Sequence, residues 1–165
     1  MAKKKTIMTN AMRSLNAAKI PFEAIEYETD GTVGDHFGEA VAEKMGIPPE
    51  QSYKTLVGRG AKNGILVVCI PVCCEVDLKK LAIAAGEKKV ELIAVKELLG
   101  LTGYIRGSVS PIGMKKKYPT YICQSCLDYD KITISAGICG CALYMSPQDV
   151  IQVTGAIPAD VTQNA

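Results

Sequence analysis

Lys54 lies in Tyr53-Lys54-Thr55-Leu56-Val57-Gly58, a run of aromatic, β-branched and aliphatic residues that reads as a strand. Side chains alternate along a strand, so Lys54 shares one face with Leu56, and Thr55 shares the other with Val57. If the Lys54 face meets the interior, its ammonium points into a cavity, where it must pair with an anion, bind a carbonyl oxygen or lower its pKa. The plainer reading is a strand-edge lysine whose stem covers apolar surface while its head stays in water.

Thiols are the other conspicuous reactive groups. The chain has seven cysteines and one histidine, His36. An odd number of cysteines with no secretion signal points to reduced thiols rather than a disulfide framework. Cys69, Cys73 and Cys74 lie in or beside an apolar run, where cysteine acts as a small hydrophobe. Cys123-Gln124-Ser125-Cys126 and Cys139-Gly140-Cys141 form two close pairs, so a four-thiolate zinc site is chemically open. Any imidazole-based acid or base would have to be His36, which reads as a surface residue beside Phe37. No phosphate loop, Gly-x-Ser-x-Gly elbow or dinucleotide fingerprint occurs.

A chain of 165 residues, 48% hydrophobic and with a mean hydropathy of +0.14, suits one domain, residues 1–165, with a single well-filled core. No apolar stretch is long enough to span a bilayer, and the lysine-rich start is not followed by the core of a signal peptide, so a cytoplasmic protein with no membrane partner is expected. The net charge of +2, from 19 basic and 17 acidic residues, is too small for a dedicated nucleic-acid binder. Lysine clusters at positions 3–5, 79–80, 88–89 and 115–117 could hold phosphate if they meet on one surface, and otherwise are solvated surface.

The elements that must position these groups follow from pattern. Thr9 to Ala18 reads as an amphipathic helix, Phe22 to Tyr27 as a strand, and Asp35 as the N-cap of a helix reaching Met45. The Lys54 strand enters a turn over 59–64 and returns as the apolar strand Ile65 to Ile70, which reads as central and buried. Asp77 caps a helix from Leu78 to Ala85, which Gly86 ends. A strand over Lys89 to Ile93, a short helix over Val95 to Leu99 and an irregular but apolar segment from Gly103 to Gly113 follow. Three strands, at Thr120, Lys131 and Leu143, precede a helix opened by Ser146-Pro147, and the tail from Pro158 reads as polar and frayed. Strands outnumber helices without strict alternation, which predicts an α+β domain with a mixed, partly closed sheet.

Taken in order, Tyr27, Phe37, Tyr53-Lys54-Thr55-Leu56, Asp77-Leu78-Lys79-Lys80, Gly103-Tyr104, Gly107, Ser110-Pro111-Ile112-Gly113 and Ser135-Ala136-Gly137 resemble the YbaK family of aminoacyl-tRNA deacylases. That family is related to the editing insertion domain of bacterial prolyl-tRNA synthetases, and the similarity spans nearly the whole chain. The resemblance implies a mixed, β-barrel-like sheet with surrounding helices and a pocket at one side. It implies removal of a wrong amino acid from tRNA, with Cys-tRNA(Pro) as the substrate of the best-known branch, no cofactor, and prolyl-tRNA synthetase as a candidate partner that would supply tRNA selectivity.

The resemblance makes Lys54 the catalytic residue and assigns substrate contacts to Tyr27, Phe37, Thr55, Gly107, Ser135 and Gly137. Ester cleavage builds charge on an oxyanion, which Lys54 and the backbone N–H groups of Gly107 and Gly137 could meet. Tyr27 and Phe37 would wall the pocket, and Thr55 and Ser135 would supply hydroxyls. The family reading needs no enzyme cysteine, because the substrate's own thiol can attack its ester once it is positioned. Two positions depart from the pattern: Cys139 stands where members commonly have a basic residue, and Ala142 where the cysteine-specific branch has aspartate. Which amino acid is cleared therefore stays open, as do two other readings, a non-catalytic aminoacyl- or nucleotide-binding module and a thiolate-zinc structural protein.

Overall fold

The computed structural model describes residues 8–29 and 36–163. Its chain order is α1 Asn10–Ala17, β1 Glu23–Glu26, α2 Phe37–Met45, β2 Tyr53–Gly60, β3 Gly64–Pro71, α3 Leu78–Ala85, β4 Val90–Leu92, α4 Leu98–Thr102, β5 Thr120–Cys123, β6 Ile132–Ser135, β7 Cys141–Met145, α5 Pro147–Thr154 and β8 Ile157–Ala159. This is the expected α+β class, with the strands divided between two sheets.

The five-stranded sheet runs β4-β2-β3-β5-β8 and the three-stranded sheet runs β1-β7-β6. β3 is the middle strand of the five-stranded sheet, and Val67, Val68 and Ile70 within it are fully buried, as its apolar run requires. β3 pairs antiparallel with β2 through the tight Gly60–Gly64 connection and parallel with β5. An isolated parallel bridge between Ser52 and Thr133 joins the two sheets, so they fold around one core without closing into a barrel. Leu15 from α1, Leu81 from α3, Ile122, Ile134, Leu143 and Val150 meet in that core, each less than 2% exposed. Burying one such side chain contributes roughly 1.5–3 kcal/mol.

The helix ends follow the local chemistry. The Thr9 hydroxyl accepts the Met12 N–H at 3.1 Å, and the Asp77 carboxylate accepts the Lys79 and Lys80 N–H groups at 3.0 Å. Gly86 closes α3 in the left-handed region, φ +69°, where a side chain would be strained.

Two expectations change. The N-cap position of α2 is His36, which makes no side-chain cap bond, while Asp35 lies outside the described residues. The tail is not frayed over residues 158–162: β8 pairs parallel with β5, Val161 is fully buried, and Thr162 bridges to Val76. The polar tail composition hid a valine that packs inside and a backbone that the Asp77 N–H bonds at Val161 O, 2.8 Å away. Pro158 is tolerated there because β8 is an edge strand and needs no donor on its outer side.

Candidate functional site

A cleft of about 660 Å³ opens between the two sheets, walled by α2 on one side and by Leu92 to Leu98 on another. Its position follows from how β2 is shared. On one edge β2 is paired with β3 along its whole length. On the other edge, among the described residues, β6 is bridged to this stretch of chain at Ser52, just before β2, and β4 pairs with β2 from Gly58 to Gly60. The stretch between, residues 53–57, is left with a partly uncovered edge inside the cleft.

Alternation places the side chains. Tyr53 and Thr55 line the cleft, but their hydroxyls are engaged: the Tyr53 hydroxyl meets Ser125 Oγ at 2.6 Å, and Thr55 Oγ1 meets Sγ of the fully buried Cys69 at 3.6 Å. Ser52, Lys54 and Leu56 therefore take the opposite face. Lys54 is half-buried and lines the cleft, and among the described residues no hydrogen bond or ion pair ties its ammonium. Its charge acts on Cys74, whose thiol is pushed up to about 11 by burial and then by neighbouring Cys73, with Lys54 opposing.

The main chain alternates as well. The Ser52 carbonyl accepts from Val72 N–H on the β3 side, 2.8 Å, whereas the Val57 carbonyl accepts from Ile93 N–H on the other side, 3.1 Å. Thr55 is in phase with Val57, so its N–H and C=O point into the gap that neither β4 nor β6 fills. A cation and a backbone donor thus sit together on one uncovered stretch of strand, the pairing suited to a carbonyl that becomes an oxyanion.

Six of the seven residues named from sequence line this cleft: Tyr27, Phe37, Lys54, Thr55, Gly107 and Ser135. The Thr55 hydroxyl is already engaged with Cys69. Ser135 is also engaged: its hydroxyl donates to Ser108 O at 2.9 Å and accepts from Gly137 N–H at 3.1 Å, tying β6 to the irregular 103–113 segment. Gly137 is not among the lining residues, and its N–H is taken by that bond. A Cβ there would lie 2.7 Å from Tyr104 Cε1, so the glycine lets the Tyr104 ring pack, while the Tyr104 hydroxyl donates to Ile112 O at 2.6 Å. Burial pushes the Tyr27 phenol upward, and its N–H donates to Gly140 O, 2.9 Å, at the end of β1.

The structure adds lining residues that sequence reading did not single out as site residues: Ser52, Arg106, Thr133, Cys73, Glu39 and Glu75. His36 is also a lining residue, and its Nδ1 is 2.9 Å from Glu39 Oε1 at an exposed position. Ser52 had a legible signal, two residues before Lys54 on the same strand face. Cys73 did not, because an apolar neighbourhood in sequence gave no sign that it is exposed.

The cysteines separate. Cys123 and Cys126 flank the end of β5, and Cys139 and Cys141 sit beside Tyr27 at the start of β7. Among the described residues no group of three or more His, Cys, Asp or Glu side chains is placed to hold a metal ion. Nor, among them, is any helix long and apolar enough to cross a membrane.

With this geometry in hand, similarity to other proteins is informative. The profile of the aminoacyl-tRNA editing domain matches residues 36–153. A protein of Enterococcus faecalis, provisionally named Cys-tRNA(Pro)/Cys-tRNA(Cys) deacylase EbsC, is 45% identical over 163 residues, 98% of each chain. Proline–tRNA ligase 1 of Streptomyces avermitilis is 35% identical over 78 residues, 47% of this chain and 14% of that one. A crystal structure described as a candidate trans-editing enzyme for prolyl-tRNA synthetase superposes with a TM-score of 0.80 at 22% identity, covering 96% of this chain and all of that one, a likeness of fold.

Proposed function

The chain belongs to the aminoacyl-tRNA editing domain family, and from that membership we propose that it is a free-standing deacylase that removes a mischarged small amino acid from the 3′ end of tRNA, first of all cysteine from Cys-tRNA(Pro). The observation that supports the reading is that Lys54, whose ammonium has no hydrogen-bond or ion-pair partner among the described residues, lines the cleft next to Thr55 on the strand stretch that opens into it. We place the reaction in the cytoplasm, where tRNA is charged.

In this reading the aminoacyl ester lies along the uncovered edge of β2. The Lys54 ammonium and the Thr55 N–H meet the carbonyl oxygen as it gains negative charge. In a cleft that excludes much of the water, a fixed cation opposes that charge far better than solvent can. The bond broken joins the carbonyl carbon to the ribose 3′ oxygen, which leaves with a proton. The attacking group is the substrate's own thiol where it has one, whose proton is lost as the C–S bond forms, and water otherwise. The chain supplies position rather than a nucleophile.

Tyr27 and Phe37 flank the ester and the terminal adenosine, and Gly107 lets the backbone of the 103–113 segment approach them. Arg106, next to Gly107 on the cleft wall, suits a phosphate of the acceptor end. A net charge of +2 offers little general attraction for tRNA, so prolyl-tRNA synthetase is the proposed source of tRNA selectivity. Editing of this kind is needed because a synthetase pocket cannot fully reject small competitors.

The test is release of amino acid from a panel of purified tRNA(Pro) esters carrying cysteine, alanine, serine and proline. Turnover of the mischarged esters with sparing of Pro-tRNA(Pro) is expected. Measurable binding with no release from any of them would replace the deacylase by a binding module.

A further inference from the structure

Among the described residues, the buried side-chain hydroxyl left without a hydrogen-bond partner is that of Ser52. Ser52 is 2% exposed and lines the cleft, and its Oγ has no hydrogen-bond partner among the described residues. Such a group is unfavourable away from water unless something completes it. The Thr55 and Ser135 hydroxyls, by contrast, are already engaged with Cys69 and Ser108.

Position gives the orphan hydroxyl a meaning. Ser52 and Lys54 share a strand face, so their α carbons are separated by about 6.6 Å at a rise of about 3.3 Å per residue. The tip of a small side chain lies about three bonds, roughly 4 Å, from its ester carbonyl carbon, and hydrogen bonds of about 3 Å complete the span at either end. An ester whose carbonyl meets Lys54 can therefore bring its side-chain tip to Ser52. Beside Ser52 stands the uncharged Thr133, held against it by the inter-sheet bridge, and Ala142, paired with Ser135 two residues further along β6, also lines the cleft.

We propose that Ser52 is a specificity-determining residue, whose hydroxyl hydrogen-bonds the side-chain thiol or hydroxyl of the esterified amino acid and so favours cysteine or serine esters over the alanine ester. This rests on the deacylase reading above. A buried polar group satisfied by one substrate and left unpaired by its methyl analogue discriminates more sharply than a difference in size.

The experiment compares kcat/KM for Cys-, Ser- and Ala-tRNA(Pro) in the wild type, Ser52→Ala and Ser52→Cys. The ratio of the preferred thiol or hydroxyl ester to the alanine ester is expected to fall about tenfold or more in Ser52→Ala, with Ser52→Cys in between. Whether the loss is in the cysteine or the serine arm distinguishes thiol from hydroxyl. A ratio in Ser52→Ala equal to that of an active wild type overturns the role of Ser52 alone. A wild type inactive on all three esters overturns the deacylase reading and this inference with it.

Discussion

Ser52 and Thr133 form a parallel bridge that joins the three-stranded sheet to the five-stranded one. Beyond it β6 departs from β2, and the cleft begins where the two strands part. The bridge therefore sets both the inner end of the site and the phase of β2, which turns Lys54 toward the cleft and Thr55 toward Cys69.

Gly137 was named from sequence for a contact with substrate, but its φ of +98° and the 2.7 Å approach of a Cβ to the Tyr104 ring give it a structural task. Gly137→Ala is expected to cost on the order of 1–3 kcal/mol in backbone strain alone. Thermal unfolding checks this. A melting temperature equal to the wild type would mean that the close packing on Tyr104 is not needed.

Cys73 lines the cleft and is exposed, whereas burial pushes the Cys69 and Cys126 thiols up to about 12. At pH 8, iodoacetamide followed by peptide mass spectrometry should find Cys73 alkylated well before Cys69 or Cys126, because the thiolate is the reacting form. Cys73→Ser should still deacylate Cys-tRNA(Pro), because the proposed reaction forms no bond between an enzyme thiol and the substrate. Complete loss of turnover in that variant would make Cys73 a nucleophile.

The same buried thiols predict the alkaline limit of stability. Their folded pKa values are raised above the ordinary 9.0, so the unfolded chain gives up these protons first, and stability present below pH 9 is lost as pH rises toward 12. Melting temperature measured from pH 7 to 11 should be level up to about pH 8.5 and then decline. The decline should be shallower in Cys69→Ala, compared with that variant's own value at pH 7. Identical slopes would remove Cys69 as a cause.

Much of this fold was legible because its local signals agree. Asp77 and Gly86 bracket α3, the Gly60–Gly64 connection sits between two apolar strands, and Pro147 opens α5. The Lys54 face was legible as an alternation but not as a direction: sequence alone cannot say which face of a strand meets a core, and the answer came from Cys69 on the neighbouring strand. Long-range pairings were the hidden part. The parallel β5–β8 pair brings residues 121–123 beside 157–159, and nothing in the polar composition of the tail announces it. Nor could spacing reveal that the Ser135 hydroxyl ties down the 103–113 segment, or that the Ser52 hydroxyl is left over.

If the Lys54 ammonium meets the scissile ester, Lys54→Ala should fold and fail to release cysteine from purified Cys-tRNA(Pro). Lys54 makes no hydrogen bond or ion pair among the described residues, so the variant should melt within about half a kcal/mol of the wild type, as surface substitutions do. Loss of one fixed donor to an oxyanion is expected to lower kcat about 100-fold or more. A folded Lys54→Ala protein that releases cysteine at the wild-type rate would contradict the account.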